Sequence, residues 1–399
     1  MLTWDRLQAL GGISDEPGRL TRVFGGPGMR AASTQLAEWM RTARLTVTTD
    51  DWGNLFARTP HPDSMPLLVI GSHFDTVPDG GKYDGALGIL AALGALESLS
   101  QDEIKHLPFA VEIAAFSDEE GTRFQTTYLG SRAATGAIEP ADLARRDSTG
   151  IPLSSLVPEK SHRPAPRYTK KKLLAYWEAH IEQGPVLESL GLPLGIVTAI
   201  AGQTRVKISF TGRAAHAGTC PMALRQDALA GASEFVLAAE SLAKETKDLV
   251  ATVGCLEVPH SASNVVPARA DLTLDLRHPE NPARQNAVAA LREKAASLAA
   301  RRGLEFSWDT VQENPAVACD HAQTEILRTA ISAHQPQVPS LFSGAGHDAV
   351  AMSAAAPVAM FFVRCRGGVS HHPTEFASAE DVSAAVKTLA EAIRQLARR

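Results

Sequence analysis

The stretch "MPLLVIGSH", residues 65–73, is followed by "GALGILAALGALESL" at 85–99 and by "PFAVEIAAFS" at 108–117. The first and third stretches are short apolar runs, typical of strands that are buried on both faces. The middle stretch is apolar and rich in residues that favour helices. Strand, helix and strand at this spacing predict a βαβ unit, and hence an α/β fold with a mostly parallel sheet and helices on both faces.

The pattern changes further along the chain. "RVKISF" at 205–210 and "RADLTLDLR" at 269–277 alternate apolar with polar residues, which predicts strands with one face buried and one face exposed. We therefore expect a smaller α+β domain to interrupt the α/β domain. The α/β domain is predicted to comprise residues 1–204 and 318–399. The inserted domain is predicted to comprise residues 205–317.

Composition excludes several classes of protein. The chain has 399 residues and a net charge of -5, whereas nucleic-acid-binding domains are usually basic. No apolar run reaches the roughly 18 residues of a membrane span, and the first residues lack the basic-then-apolar layout of a secretion signal. The four cysteines are far apart and predict reduced thiols rather than a zinc–thiolate site. We expect a cytoplasmic protein that binds neither nucleic acid nor membrane.

The stretch "GSHFDTVPDGGKYDG" at 71–85 carries the first candidate site residues. His73 ends a predicted strand, and the carboxyl ends of parallel strands are where α/β sheets place their sites. Asp75 leans to the same side and can orient a metal-bound imidazole. Asp84 follows a glycine-rich turn and opens the next helix. The alternatives are a plain helix N-cap for Asp84 and a strand-end core histidine for His73.

The stretch "FSDEEGTRF" at 116–124 crowds three acids at the end of another buried strand. Such carboxylates are costly to bury unless a cation neutralises them. If Glu120 binds a metal ion, Glu119 remains free to act as a general base towards a water of lowered pKa. The alternative is a helix N-terminus, where acids are favoured by about 0.3–1 kcal/mol.

Two histidine stretches complete the pattern. "YWEAHIEQGPVLE" at 176–188 contains His180, and "GGVSHHPTE" at 367–375 contains His371, although a loop histidine before proline is more often a surface residue. The combined donors are nitrogen and oxygen without thiolate, which fits two divalent ions that share one carboxylate. No HExxH, GxSxG or P-loop motif occurs in the sequence. The predicted metal ligands are His73, Asp84, Glu120, His180 and His371.

From about residue 20 onward the chain resembles the dinuclear metal-dependent amidohydrolases, which include N-carbamoyl-L-amino-acid hydrolase, allantoate amidohydrolase and β-ureidopropionase. The stretches that carry the resemblance, beyond those quoted above, are "HAGTCPM", "NVVP", "DLRHP", "SGAGHDA" and "SHHP". The family is related to aminoacylases and bacterial carboxypeptidases with the same core.

The resemblance implies a role for each matching residue. Asp84 would bridge two metal ions, with His73 and His180 completing one site and Glu120 and His371 the other. The implied catalytic residues are Glu119 as general base, Asp75 as support for the metal site and His216 as a ligand of the reacting carbonyl, often from the partner subunit. The implied substrate-binding residues are Gln183, His216, Asn264, Arg277, Gly346 and His347. A guanidinium fork such as that of Arg277 binds a carboxylate in two-pronged fashion. If these residues have no such roles, Arg277 is a surface strand-end residue, His216 a loop histidine and Asn264 a turn residue.

The expected activity is hydrolysis of a linear amide bond, namely the ureido group of an N-carbamoyl-L-amino acid or an allantoate-like substrate. The family mechanism is attack by a metal-bridging hydroxide, with two divalent ions per subunit drawn from Zn, Mn, Co or Ni. The expected partners are a small carboxylate-bearing amide or ureido substrate and a second copy of the chain, bound through the inserted domain, which also serves as a lid. The alternatives are an N-acyl-amino-acid amidohydrolase or dipeptidase with the same site, and a metal-binding protein without activity.

Some positions depart from the family pattern. His372 stands where the family has asparagine, and Ala215 and Cys220 alter the stretch around His216. Arg364 and Arg366 lie close to the expected pocket and raise the hypothesis that the substrate has a second carboxylate.

Overall fold

The computed structural model describes residues 2–170 and 173–399. Its strands, in chain order, are β1 (Thr46–Thr49), β2 (Leu55–Arg58), β3 (Leu67–His73), β4 (Ala110–Phe116), β5 (Leu173–Ile181), β6 (Leu194–Ile200), β7 (Gly202–Thr211), β8 (Ala215–His216), β9 (Val250–Glu257), β10 (Val265–Val266), β11 (Arg269–His278), β12 (Glu305–Asn314), β13 (Val317–Ala318), β14 (Ser340–Ser343) and β15 (Val358–Val363). Its helices are α1 (Leu2–Leu10), α2 (Pro27–Thr42), α3 (Ala86–Ser98), α4 (Gln101–Lys105), α5 (Leu129–Thr135), α6 (Pro140–Leu143), α7 (Val186–Leu190), α8 (Ala228–Glu245), α9 (Asn281–Arg302), α10 (His321–Ser332), α11 (Ala349–Met352) and α12 (Ala379–Ala397).

The chain divides into two compact units. The larger, which we call the large unit, comprises Met1–Thr198, Cys319–Leu341 and Ala345–Arg399. The smaller, which we call the small unit, comprises Ala199–Ala318 and Phe342–Gly344. The role of segment 205–317 as a lid or dimerisation domain stays a prediction.

The sheet of the large unit has a parallel centre and antiparallel margins. Its strands lie in the order β1-β2-β4-β3-β5-β15-β6. β4, β3, β5 and β15 pair in parallel, whereas β1, β2 and β6 pair antiparallel. Every residue of β3 and β4 is buried, as expected for parallel strands that are covered on both faces. This arrangement confirms the predicted α/β class.

Helix α3 connects β3 to the rest of the sheet and carries an almost wholly apolar sequence. Eleven of its residues, from Ala86 to Leu96, are buried between the sheet and the helices α1 and α12. Fully burying one such leucine contributes roughly 1.5–3 kcal/mol, so this helix is fixed firmly against β3 and β5. Its first residue therefore has a fixed place at the carboxyl edge of the parallel strands.

The small unit is an antiparallel sheet with two helices on one face. The strand order is β12-β7-β11-β9, and all neighbours are antiparallel. On β11, Leu272, Leu274 and Leu276 are buried against α8 and α9, while the residues between them are partly exposed. The alternation seen in the sequence thus produces a sheet with one apolar face and one polar face.

In the described ranges 2–170 and 173–399, no helix has both the length and the apolar character needed to cross a bilayer.

Candidate active site

The first site residues lie where β3 ends. His73 is the last residue of that strand and is buried. Its Nδ1 is 3.2 Å from Oδ1 of Asp75, which is also buried. The same carboxylate accepts the backbone N–H groups of Glu119 (3.0 Å) and Glu120 (3.2 Å). Asp75 therefore orients the imidazole and fixes the acidic stretch at the end of β4.

His180 reaches the same place from the neighbouring strand. It lies one residue before the end of β5, which runs parallel to β3, so both carboxyl ends meet at one edge of the sheet. Its Nδ1 is 3.0 Å from the carbonyl oxygen of Ile181, a contact that leaves Nε2 directed elsewhere. That Nε2 lies 3.1 Å from Oδ1 of Asp84.

Asp84 uses its two carboxylate oxygens in two directions. Oδ1 faces Nε2 of His180 at 3.1 Å and Nε2 of His73 at 3.5 Å, whereas Oδ2 faces Nε2 of His371 at 3.2 Å. The following residue, Gly85, has φ +64°, and a Cβ there would lie 2.5 Å from the His73 ring. A side chain is therefore excluded at Gly85 by both conformation and space.

The groups that lie near Oδ2 of Asp84 come from loops. Nε2 of His371 lies 3.3 Å from Oε1 of Glu120, and the His371 side chain is 49% exposed. His371 also has φ +57°, a left-handed conformation that non-glycine residues adopt rarely. The sets His73–Asp84–His180 and Asp84–Glu120–His371 each have ligand atoms within 4.8 Å of one another.

Glu119 lies beside these groups. Its carboxylate comes within 4.8 Å of ligand atoms of His73 and Glu120, and the residue is 7% exposed. Burial raises the pKa of Glu119 well above its usual range. The nearby His73 lowers this pKa and the charge of Glu120 raises it further, but burial is the largest effect. The side chain is therefore a base of greater than usual strength.

Two further buried acids, Asp118 and Asp348, lie near the candidate ligands. Asp118 is fully buried, and burial together with the charge of Asp75 raises its pKa well above the usual range. Burial and the charge of Glu178 do the same to Asp348. The ionised forms of these acids are thus disfavoured, and divalent cations nearby would stabilise them. Imidazole with carboxylate is a donor set that Zn, Mn, Co and Ni accept. The residues present therefore fit a metal centre.

A layer of hydrogen bonds surrounds Asp84. Nε2 of Gln183 lies 3.1 Å from Asp84 Oδ2 and 3.1 Å from Ser370 Oγ, and Ser370 Oγ lies 3.1 Å from the same Oδ2. Glu375 accepts the backbone N–H groups of Tyr83 and Asp84, and burial together with Asp84 raises its pKa to about 7. Ser370 and Glu375 were not predicted as site residues from the sequence, although both stand in the quoted stretch around His371.

Two predicted pocket residues lie close to the ligands. The ring centroid of His347 is 4.4 Å from that of His180, and burial with the nearby His180 lowers the pKa of His347 well below its usual range. Gly346 packs against Tyr128 so closely that a Cβ would collide with the phenol oxygen. Tyr128 has φ +62° and donates its backbone N–H to the carbonyl oxygen of Glu119 at 2.9 Å. The sequence analysis did not identify Tyr128.

The remaining predicted residues belong to the small unit. His216 is exposed in the short strand β8, which pairs with β10 so that His216 faces Val265. Asn264 is exposed, and its carbonyl oxygen accepts the N–H of Ala217 at 2.8 Å. The pairing of β8 with β10 therefore brings His216 and Asn264 together at one end of the small unit.

Arg277 lies in the four-stranded sheet of the small unit, near the end of β11. Its Nε and Nη2 each donate to Asp275 at 2.9 Å, and its Nη1 donates to the carbonyl oxygen of Gly344 at 2.6 Å. Asp275 also accepts from Arg205 and Gln203, and the hydrogen bonds to arginine lower its pKa even though burial raises it. One edge of the Arg277 guanidinium is thus fixed by Asp275.

The departures from the family pattern have their own contacts. Arg364 donates to both carboxylate oxygens of Asp381, at 2.9 and 3.0 Å, and Arg366 lies over the ring of Phe376 at 4.4 Å. Asp381 thus holds one edge of the Arg364 guanidinium, and the hypothesis of a second substrate carboxylate stays a prediction. His372 is exposed and its Nδ1 is 2.8 Å from the hydroxyl of Thr374.

A comparison with known proteins agrees with this geometry. Residues 69–395 match the family described as peptidase family M20/M25/M40. The chain belongs to this family. Among curated relatives, this M20-family chain is 40% identical to allantoate deiminase of Arabidopsis thaliana, over 95% of this chain and 79% of the relative. It is 38% identical to N-carbamoyl-L-amino acid amidohydrolase of Geobacillus stearothermophilus, over 99% of this chain and 98% of the relative.

Solved structures give the same result. A crystal structure described as an amidase of the hydantoinase/carbamoylase family from Burkholderia multivorans matches with a TM-score of 0.91 and 33% identity. The match covers 100% of this chain and 98% of that one. The resemblance to amidohydrolases expected from the sequence is therefore confirmed.

Proposed function

We propose that this protein hydrolyses the ureido group of a small carboxylate-bearing substrate, namely allantoate or an N-carbamoyl-L-amino acid. The observation that carries the proposal is the position of Asp84, whose two oxygens face two different histidine groups while Glu119 lies alongside. The substrate class comes from the relatives named allantoate deiminase and N-carbamoyl-L-amino acid amidohydrolase. The reaction consumes one water and yields an amine, ammonia and carbon dioxide. We further propose that the protein is cytoplasmic.

Two divalent ions per chain fit the ligand groups. His73 and His180 would hold one ion with Asp84, and Glu120 and His371 would hold the other with the same Asp84. Zn, Mn, Co and Ni all accept such donors. When bound, the ions would polarise the substrate carbonyl and lower the pKa of water to about 7.

Glu119 would manage the protons of the reaction. Its carboxylate would take a proton from the attacking water and pass it to the leaving nitrogen. A base works best when its pKa lies near the working pH, and burial moves the pKa of Glu119 upward from the ordinary carboxylate range. Asp75 would keep both His73 and the Glu119 backbone in place through the contacts described above.

The substrate carboxylate would bind Arg277. Because Asp275 and the carbonyl oxygen of Gly344 hold that guanidinium in one orientation, its remaining N–H groups on Nη1 and Nη2 keep fixed directions in which to receive a carboxylate. Gln183, Gly346 and His347 would line the pocket around the reacting group.

The positions of His216 and Asn264 support a site that is shared between two chains. Arg277 pairs with Gln203 on β7, and Arg269 pairs with Thr211, so eight residues of strand separate the two ends, about 26 Å at 3.3 Å per residue. His216 and Asn264 lie beyond the Arg269 end, and a small substrate cannot span that length. We therefore propose a homodimer in which Arg277 and the pair formed by His216 and Asn264 act on one substrate from different chains.

The first test is ammonia release from allantoate and from N-carbamoyl-L-amino acids. Metal-stripped protein would be refilled with Mn²⁺ or Zn²⁺ and compared with Glu119→Gln, which should lower kcat by about 10²–10⁴-fold because a general base contributes that much. Glu97→Gln is a suitable control, since Glu97 pairs with Arg6 away from the ligands.

Three results would contradict parts of the proposal. If only N-acyl amino acids or dipeptides were hydrolysed, the metal centre and the general base would stand and the ureido substrate would be refuted. Full activity of Glu119→Gln would refute the assigned base. Full activity of metal-stripped protein would refute the metal centre.

A further inference from the structure

One buried carboxylate joins two segments that are far apart in the sequence. Glu375 is 4% exposed, and its Oε1 accepts the backbone N–H groups of Tyr83 at 2.8 Å and Asp84 at 3.1 Å. Its Oε2 accepts the hydroxyl of Ser370 at 3.0 Å. A single side chain thus connects the turn that carries Asp84 to the loop that carries His371, across 291 residues of sequence.

The two segments are also fitted to each other sterically. A Cβ at Gly81 would collide with the Glu375 carboxyl group, so only glycine leaves room for this contact. The ring of Tyr83 meets the ring of Phe376 edge to face, with centroids 6.0 Å apart. The contact is therefore formed by residues on both sides of Glu375.

The two ligand groups depend on this contact to different degrees. His73 and His180 are placed by neighbouring buried strands, which do not involve Glu375. His371 lies in a loop, in a left-handed conformation, and its ring is half exposed. The distance between Asp84 Oδ2 and His371 is thus set by the packing of the turn against the loop, and Glu375 is the carboxylate that binds backbone N–H groups of the turn and a hydroxyl of the loop.

We propose that Glu375 is a positioning residue for the ion held by Asp84, Glu120 and His371, and that it has little influence on the ion held by His73, Asp84 and His180. The inference rests on the two-ion site of the proposed function. The carboxylate holds the backbone of Asp84 from one side and Ser370 from the other, so that Asp84 Oδ2 and the His371 imidazole keep their separation. Removing this support loosens one ion site selectively.

The test is a titration of metal-stripped protein with Mn²⁺, with bound ions counted by elemental analysis and affinities obtained from calorimetry. Wild type should bind two ions. In Glu375→Ala the weaker ion should lose about 10- to 100-fold in affinity, the usual cost of removing a group that supports ligands, while the other should change by less than about threefold. His371→Ala identifies which ion is the affected one.

Conservative and steric variants sharpen the result. In Glu375→Gln the amide oxygen still accepts both backbone N–H groups, so the loss should stay below about fivefold. Gly81→Ala displaces the carboxylate without removing it and should reproduce the selective loss if Glu375→Ala does not fold. Asp381→Asn is the matched control, because Asp381 is equally buried but pairs with Arg364, and it should leave both affinities unchanged.

The outcomes separate the two proposals. Fewer than two ions in wild type would overturn the two-ion centre and this inference with it. Two ions in wild type with equal weakening of both ions in the variants would overturn the inference alone. No weakening of either ion, or a loss in Glu375→Gln as large as in Glu375→Ala, would do the same.

Discussion

The two compact units arrange their predicted functional residues in opposite ways. In the large unit, ligands from separate stretches converge until groups of three lie within 4.8 Å. In the small unit, His216 lies in the two-stranded sheet of β8 and β10, whereas Arg277 lies near the far end of β11 in the four-stranded sheet. Under the proposed function, one chain therefore carries the metal ligands and the general base, whereas His216 and Arg277 contact one small substrate from two chains.

A second contrast exists inside the large unit. The side chains of His73 and His180 are 2% and 1% exposed and belong to parallel strands, whereas that of His371 is 49% exposed and belongs to a loop. The first group is therefore part of the core, and the second is supported by hydrogen bonds. Loss of a ligand should have different consequences in the two groups.

The largest expected effect comes from removing a strand ligand. His180→Ala should lower kcat by about 10³-fold or more, because it removes a ligand of an ion that stabilises the transition state by several kcal/mol. It should also lower the melting temperature by several degrees, since it opens a cavity in a packed region. His371→Ala should lower kcat comparably with almost no change in melting temperature. Differential scanning calorimetry of the two metal-free variants tests the contrast, and equal melting shifts would refute it.

The second prediction concerns the shared site. His216→Ala and Arg277→Ala should each be nearly inactive, but a mixture that has exchanged subunits should regain activity. One site in each mixed dimer then has both residues intact, so roughly a quarter of all sites recover in a symmetric dimer. Activity is measured after mixing, subunit exchange and removal of monomers. A mixture as inactive as its parents would show that both residues act within one chain.

A smaller effect is expected from Arg277→Lys. Lysine keeps the charge but loses the fork that Asp275 holds, so KM for a carboxylate-bearing substrate should rise by about 10- to 100-fold with a smaller change in kcat. A neutral ureido compound that lacks the carboxylate should be hydrolysed equally by wild type and variant. Arg205→Lys, which alters another donor to Asp275, is the control. An equal loss on both substrates would mean that Arg277 does not bind the carboxylate.

The smallest expected effect is a change in thiol reactivity. Burial raises the pKa of Cys365 and of Cys319 to about 12, so both should react with iodoacetamide at pH 8 far more slowly than exposed Cys255. Because the thiolate is the reacting form, their rates should continue to rise above pH 9. Cys365 lies before the His371 loop and its thiol donates to the carbonyl oxygen of Val369. Mn²⁺ should slow Cys365 a further few-fold and leave Cys319 unchanged, as followed by mass spectrometry. If Mn²⁺ changed the reaction rates of Cys365 and Cys319 equally, the loop that carries His371 would be no more mobile than the strands.

The sequence predicted those features that depend on local pattern. Apolar runs with helix-forming residues between them predicted the βαβ unit, and the family resemblance confirmed by the comparisons supplied the set of ligands. His73 was recognised because a polar residue at the end of a buried strand is informative without knowledge of its neighbours. The alternation in 269–277 likewise predicted the exposed and buried faces of β11.

Other features depend on contacts that no single stretch contains. The bond from Glu375 to Asp84 spans 291 residues, and nothing in the residues around Glu375 identifies its partner. Likewise, the ion pair between Arg364 and Asp381 could not be distinguished from a free arginine at the pocket. The separation of Asn264 from Arg277 also required the strand register, because both residues border the same predicted strand.

The ends of the small unit have a consequence for protein engineering. Ile200 pairs with Val317 and Ala199 with Ala318 in antiparallel register, so the chain leaves and returns on adjacent strands. In the large unit, the N–H of Cys319 donates to the carbonyl oxygen of Thr198 at 2.9 Å, which closes the gap at that point. A tight hairpin turn of two to five residues is long enough to join these strands. We therefore expect that the segment between these paired strands can be exchanged between relatives while its two junctions with the rest of the chain stay side by side.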